Sequence, residues 1–308
     1  MRKVSPAEKL YNSILSSYNV PGAYERWRDY RKSVTDRIIE FAEPGKSIAI
    51  VGAGEMNDID IARIYEHSGK VALFDIDVDA MKRGLENYGF ENERPDASEW
   101  KSDEGRKTSA SAGKQDESRK CGITVKKCDL FGITKDEYTD LINKCFAEAV
   151  KVNKKPDNLL LAKYMKEIIG IVNKRRVHIS DEKFDCTVAV GLHSQVVGFL
   201  AHIWEYLAII GGIIDNNVFE SLINLNNTQI PKINDALIGI TRERLFVGYE
   251  MYNASFGPES TVQGAVQCNH DLNDRIKNSE LTLEISFTED WAFSDEKQYK
   301  MLFYEMKV

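Results

Sequence analysis

The sequence predicts an α/β fold: a doubly wound, mostly parallel sheet, preceded by helices and closed by an antiparallel C-terminal hairpin. Three observations carry that expectation. From Ser47 short apolar runs alternate with amphipathic stretches; the runs SIAIV and VALFD are apolar on both faces, as strands buried between two helical layers must be; and the chain ends in two segments of alternating polarity around a short polar turn.

The elements follow in order. Residues 6 to 43 place Leu10, Tyr11 and Ile14, then Tyr24, Trp27 and Tyr30, then Val34, Ile38, Ile39 and Phe41 at helical intervals, with a break at Pro21-Gly22. They predict an N-terminal helical cap, residues 1–45, over an opening in the domain of residues 46–308. SIAIVGAG is the first strand and its turn, NDIDIARIYEHSG a helix, VALFDID the second strand and VDAMKRGLENYG a second helix. Residues 91–120 interrupt this rhythm with mixed charge, serine and glycine; almost nothing in them except Trp100 offsets the entropy of ordering, so a flexible surface insertion is expected. GITVKKCDLFGI is the third strand, followed by helix-favouring stretches over 135–151 and 157–174. FDCTVAVGLHSQ is a fourth strand entering the helix VVGFLAHIWEYLAII. Ile233 to Arg242 is a further helix, RLFVGYEM a fifth strand, and LTLEISFTEDW with KQYKMLFYEMKV the hairpin, turning at Ser294-Asp295-Glu296.

Composition narrows the partners. A chain of 308 residues with 43% hydrophobic content builds a sizeable core. A formal net charge of -7 opposes both phosphate backbones and anionic lipid, so nucleic acid is disfavoured and a small-molecule substrate is expected. Five cysteines without a C-x-x-C pair read as reduced thiols, no stretch reaches the roughly 20 apolar residues of a membrane span, and the N-terminus lacks a secretory pattern, which together predict a cytoplasmic protein. No H-E-x-x-H, paired C-x-x-C or acidic calcium loop occurs, so no dedicated metal site is expected. Edge strands and the N-terminal helix pair leave a homodimer open.

The turn Gly52-Ala53-Gly54 lets a ligand approach the backbone closely at the start of a helix. Asp75 ends the second strand about 20 residues later, where a carboxylate accepts both hydroxyls of a ribose; Asp77 or Asp79 is better placed to cap the next helix. A dinucleotide fingerprint asks for a third glycine where this chain has Asn57, followed by Asp58 and Asp60. Acids there oppose a pyrophosphate and tolerate a sulfonium with an amino acid tail.

With these motifs the chain resembles the class I S-adenosylmethionine-dependent methyltransferases, from about Ser47 to the C-terminus. The resemblance implies a Rossmann-like seven-stranded sheet whose antiparallel last strand is inserted between two others. IVGAGEMNDID resembles the family's glycine-rich first motif and LFDID its second, which implies that Gly52, Ala53 and Gly54 cradle S-adenosyl-L-methionine while Asp75, with Ile76 beside it, holds the ribose. KKCDLFGI resembles the third-strand motif, implying Asp129 at the adenine amino group and Leu130 on the ring face. FDCTVAVGLHSQ is similar to the fourth, with Asp185 opening the strand and Gly191, Leu192 and His193 lining the site. Two departures stand out: Ile50 occupies the position of a common acid, and Met56 replaces the third glycine of G-x-G-x-G. The methionine amino group is then left to backbone carbonyls, Glu55 or Asp58.

The implied activity is methyl transfer to an oxygen or nitrogen nucleophile of a small molecule, with S-adenosyl-L-homocysteine as product. Such chemistry asks mainly for alignment, exclusion of water and, for some acceptors, a base. His193 is the candidate base, at the exit of the fourth strand and titrating near neutrality. Gln195 is a candidate for orienting substrate, His270 for reaching the crevice from a loop after the fifth strand, and Tyr24, Trp27 and Tyr30 for an aromatic wall. The acceptor is expected among the N-terminal helices, the turn after the fourth strand and residues 253 to 273. Two other readings stay open: an NAD-dependent oxidoreductase, and a non-catalytic adenosyl-ligand-binding protein of the same fold.

Overall fold

Short β-branched and aliphatic runs, buried on both faces, set the architecture. The computed structural model describes residues 4–90, 122–149, 158–211 and 216–308, and the predicted insertion at 91–120 lies outside them. The strands are β1 (Ile48–Val51), β2 (Val71–Asp75), β3 (Ile123–Lys127), β4 (Phe184–Val190), β5 (Thr241–Asn253), β6 (Thr282–Trp291) and β7 (Tyr299–Lys307). They form one sheet in the order β3-β2-β1-β4-β5-β7-β6. The first five are parallel, and β7 runs antiparallel between β5 and β6. The predicted fold class is the observed one. The strand order reverses between β1 and β4, and at such a switch point a crevice opens beyond the carboxyl ends. Register sets those ends level, with Val51 opposite Phe74, Asp75 opposite Lys127, and Val190 opposite Gly248.

The helices are α1 (Pro6–Ser17), α2 (Ala23–Arg26), α3 (Arg28–Phe41), α4 (Ile61–Ser68), α5 (Val78–Asn87), α6 (Lys135–Ala149), α7 (Asn158–Lys174), α8 (Gly198–Gly211), α9 (Asn216–Ile240) and α10 (Gln263–Lys277). Their starts are chemical. Ser5 and Glu8 exchange hydrogen bonds of 3.1 and 2.8 Å in a capping box before α1. Asp60 accepts from the Arg63 amide at 3.2 Å, so α4 begins at Ile61 and residues 57 to 60 are loop rather than the expected first helical turn. Asp77 caps α5 through the Asp79 and Ala80 amides, which leaves Asp75 free of that task. QCNHDLND belongs to helix α10, not to a loop, because Ala265, Cys268 and Leu272 recur at helical spacing and are buried.

The core has three parts. On one sheet face α3, α4 and α5 set Val34, Ile38, Ile64 and Met81 against Ile48, Ile50 and Leu73, extended by Trp291 and Phe303 of the hairpin. On the other, Ile233 and Leu237 of α9 and Leu272 of α10 cover Ala49, Leu245 and Val247. A third cluster joins α1, α6, α7, α8 and the start of α9, with Phe131 and Ile133 from the segment after β3. The N-terminal helices therefore divide: α1 joins the third cluster and α3 packs on the sheet. Cys128, Cys145, Cys186 and Cys268 carry free thiols. Among the described residues no helix is long and apolar enough to cross a membrane.

Candidate functional site

Beyond β1 the chain turns sharply. The Gly52 and Ala53 amides both donate to the Phe74 carbonyl, at 2.8 and 3.2 Å, and Gly52 sits at φ 76°, a region that favours glycine. A Cβ at Gly52 would also come within 2.8 Å of Leu192 Cδ1. The turn faces a cleft of about 680 Å³, within the range of small-molecule sites. Its floor is the carboxyl ends of β1 to β4. Leu15, Tyr18, Tyr138 and Phe199 of the third cluster stand opposite, and Trp27, Trp291, Phe293 and Tyr299 close one side.

All eleven residues expected at the cofactor line this one cleft: Gly52, Ala53, Gly54, Glu55, Asp58, Asp75, Ile76, Asp129, Leu130, Gly191 and Leu192. Asp75 accepts from the Gly54 amide (2.9 Å, Oδ2) and the Asp77 amide (2.8 Å, Oδ1). Each oxygen keeps a lone pair for a further donor. Burial raises this carboxyl above the ordinary range, against the pull of those amides. Asp129 accepts from the Phe131 amide through Oδ1 at 2.8 Å, while its Oδ2 is buried without a hydrogen bond of normal geometry, the Tyr138 hydroxyl being a polar neighbour. Burial pushes its carboxyl up to about 6.

Glu55 and Asp58 differ. Glu55 is tied to Arg83 Nε at 2.7 Å, whereas among the described residues the Asp58 carboxylate is answered by its own backbone amide and, at longer range, by Arg31. Enclosure raises Asp58 to about 6. The described lining holds five carboxylates (Glu55, Asp58, Asp75, Asp77, Asp129) and one lysine, Lys297, so the field favours a cation.

The substrate candidates separate. Trp27 lines the cleft, its Nε1 donating to the Phe293 carbonyl at 3.0 Å, and Gln195 lines it as well. Tyr24 does not. Its ring lies 4.2 Å from the Arg31 guanidinium, which donates to the Tyr24 and Asn57 carbonyls and so pins the loop before α4. Tyr30 is buried beside the cleft, stacked on Trp291 at 5.3 Å. His270 is exposed on α10 and away from the cleft. Residues 253 to 273 contribute nothing to the lining; the hairpin turn, from Trp291 to Tyr299, takes their place.

His193, expected as the base, faces the core instead. It is fully buried and absent from the cleft lining. Asn234 Nδ2 donates to Asp271 at 2.7 Å, which turns its Oδ1 toward His193 Nε2 at 2.8 Å. The imidazole must then donate through Nε2, and Nδ1 is an enclosed lone pair without a partner. Burial keeps the ring neutral, its pKa down at about 4. Its task is to join β4 to α9 and α10. Asp185 is structural too: at the amino end of β4 it accepts from the Ser47 amide and hydroxyl at 2.9 and 2.8 Å, at the opposite end of that strand from the cleft.

No protein-family model and no curated protein matches the chain. Among solved structures it is similar to a magnesium protoporphyrin IX methyltransferase from Synechocystis with bound SAM, at 10% identity and a TM-score of 0.42 over 99% of this chain and 92% of that one. A ribosomal protein L11 methylase from Lactobacillus delbrueckii gives 11% identity and 0.35 over 90% and 77%. A SAM-dependent methyltransferase from Methanosarcina mazei gives 8% and 0.41 over 88% and 96%. At these values the functional reading rests on the cleft.

Proposed function

We propose that the protein is an S-adenosylmethionine-dependent methyltransferase acting on a small molecule. One observation carries this reading: the acceptor oxygens of Asp75 and Asp129 converge with the glycine turn on a single cleft dominated by carboxylates. When bound, S-adenosylmethionine supplies an activated methyl group and two positive centres. Gly52 to Gly54 give it backbone to lie against, Asp75 accepts the ribose hydroxyls, and Asp129 Oδ2, beside the Tyr138 hydroxyl, accepts from the adenine amino group. Leu130 and Ile76 offer apolar surface. Asp58, the freer acid, holds the methionine ammonium. The aromatic wall of Trp27, Trp291, Phe293 and Tyr299 excludes water from the acceptor.

An NAD-dependent oxidoreductase is the weaker reading. The α4 N-terminus, where a pyrophosphate would sit, is already capped by Asp60, and the cleft itself is lined by carboxylates that oppose a pyrophosphate. Calorimetry on one preparation decides: S-adenosylmethionine and S-adenosylhomocysteine bind with heat and NAD(H) does not. Preference for NAD(H) overturns the assignment, and binding of neither adenosyl ligand supports a non-catalytic protein.

Two further outcomes follow from titration and burial. Asp58 and Asp129, raised to about 6, have folded pKa values above those of the unfolded chain. Their contribution to stability is therefore complete below the unfolded value and is lost as pH rises through about 6. The unliganded protein should melt lower at about pH 7.5 than at about pH 5, while the increment in melting temperature from S-adenosylmethionine grows over the same interval, because a cation favours the ionised carboxylates. An increment that shrinks with pH would remove these acids from the cation's surroundings. His193→Ala should cost about 1–3 kcal/mol in urea unfolding by leaving the Asn234 oxygen unpaired. Its S-adenosylhomocysteine affinity, measured on folded protein, should stay near wild type.

A further inference from the structure

Beside the cofactor's residues lies a second polar group of atoms that the proposed function leaves unused. Glu250, near the carboxyl end of β5, is 3% exposed; Oε1 accepts from Ser194 Oγ at 2.8 Å, but Oε2 has no hydrogen bond among the described residues. The Tyr30 hydroxyl and Trp291 Nε1, on two nearly parallel stacked rings, are likewise buried without partners. Burial raises the Tyr30 hydroxyl pKa, and the nearby Asp58, Glu250 and Glu289 carboxylates add to that. Arg31 does not answer Glu250, since its hydrogen bonds go to the Tyr24 and Asn57 carbonyls. Unmade hydrogen bonds and an unpaired buried carboxylate each cost stability, so such a set persists where a ligand completes it.

Gly191 connects this set to the cleft. A Cβ there would stand 3.9 Å from Glu250 Oε1 and 4.0 Å from Trp291 Cη2, while Gly191, Trp291 and Tyr299 all line the cleft. With no side chain at residue 191, nothing beyond its chain neighbours comes nearer than 3.9 Å to that Cβ position, and it is through this gap that the Glu250 carboxylate, itself behind the lining, is reached from the cleft. A carboxylate beside aromatic faces recognises a cation.

Building on the methyltransferase reading, we propose that this is the acceptor subsite and that the acceptor is an amine, entering as an ammonium with its proton toward Glu250 and its apolar body against Trp27, Trp291 and Phe293. Glu250 takes that proton: the N–H bond breaks, its pair stays on nitrogen, and an O–H bond forms on the carboxylate. The lone pair then forms the N–C bond to the methyl group as the C–S bond breaks with its pair left on sulfur, and protonated Glu250 later returns its proton to water. Burial raises the Glu250 carboxyl and makes it a better base for this step. A neutral alcohol offers the Glu250 carboxylate no charge to pair with, whereas an ammonium does, which favours nitrogen over oxygen.

The test uses the full chain loaded with S-adenosylhomocysteine and three probes, the isosteric pair 2-phenylethylamine and 2-phenylethanol and the tertiary amine N,N-dimethylbenzylamine, followed by calorimetry. The amines should bind at least tenfold more tightly than the alcohol, and Glu250→Gln should abolish that preference. Because the variant removes a buried charge, it should fold and melt no lower than wild type in the absence of ligand. Equal binding of amine and alcohol, an unchanged preference in Glu250→Gln, or no amine binding by a protein that does bind S-adenosylhomocysteine overturns the inference. Failure to bind S-adenosylhomocysteine itself overturns the cofactor reading instead.

Discussion

Asp75→Ala should lower S-adenosylhomocysteine affinity by at least about 100-fold while leaving a folded protein. Two hydroxyls bound to a buried carboxylate form charge-assisted hydrogen bonds of about 1.5–3 kcal/mol each, and losing about 3 kcal/mol or more already exceeds two decades in affinity. The same carboxylate accepts from the Gly54 and Asp77 amides, so its loss also frees the glycine turn proposed to receive the cofactor. Stability moves less than affinity, because two effects oppose. The variant strands two amides, yet it removes a carboxylate whose raised pKa shows that ionisation near neutral pH costs the unliganded fold. Asp75→Asn is not a mild control: both oxygens of Asp75 already accept from N–H groups, so an amide NH2 meets a donor whichever way it turns. Calorimetry with a parallel thermal melt checks the prediction, and an unchanged affinity removes Asp75 from the site.

That the residues proposed for the cofactor share one cleft was legible because their placement is local. Asp75, Asp129 and the glycine turn each sit at or just beyond the carboxyl end of a parallel strand, and parallel strands at a switch point bring such ends together whatever the loops do. The acceptor half depends on contacts between distant segments. Trp291 reads as one apolar position of an alternating strand, and nothing near it reveals that Trp27, far away in the chain, packs edge-on at 4.8 Å. Glu250 reads as an ordinary polar position late in β5; only the antiparallel pairing with β7 and the passage of Gly191 give it a place behind the cleft wall.

His193 illustrates the opposite error. Its position at a strand exit was read correctly, but its direction is set by Asn234, 41 residues later, and by Gly264, where a Cβ would lie 1.9 Å from the His193 carbonyl oxygen. A strand exit fixes where a side chain begins, and the helices packed behind it decide which way it points. The start of α4 moved for a simpler reason: among the three polar residues Asn57, Asp58 and Asp60, Asp60 is the one whose carboxylate reaches a free helical amide.

Gly84→Ala should destabilise the protein by about 1–3 kcal/mol and weaken S-adenosylhomocysteine binding, and the sign is what makes it informative. Gly84 lies inside α5, where exchanging glycine for alanine on an open helix face would stabilise by about 1 kcal/mol through propensity. Here the added Cβ would meet the Glu55 carbonyl oxygen at 2.3 Å and Met56 Cε at 2.6 Å. The Met56 side chain could shift, but the Glu55 carbonyl belongs to the backbone of the turn that lines the cleft, so either α5 retreats or the turn moves inward. Met56 shows why that space is kept. It occupies the position where the resembled family has a third glycine, it retains a left-handed φ of 52°, and its side chain is 1% exposed within the core. Left-handed backbone costs a non-glycine residue about 1–2 kcal/mol, less than the roughly 2–5 kcal/mol at stake in a buried methionine. The glycine of α5 thus makes room for the turn and for the buried methionine within it. A urea melt and a calorimetric titration of Gly84→Ala measure both consequences, and a variant that melts higher with unchanged affinity would show that α5 does not support the turn.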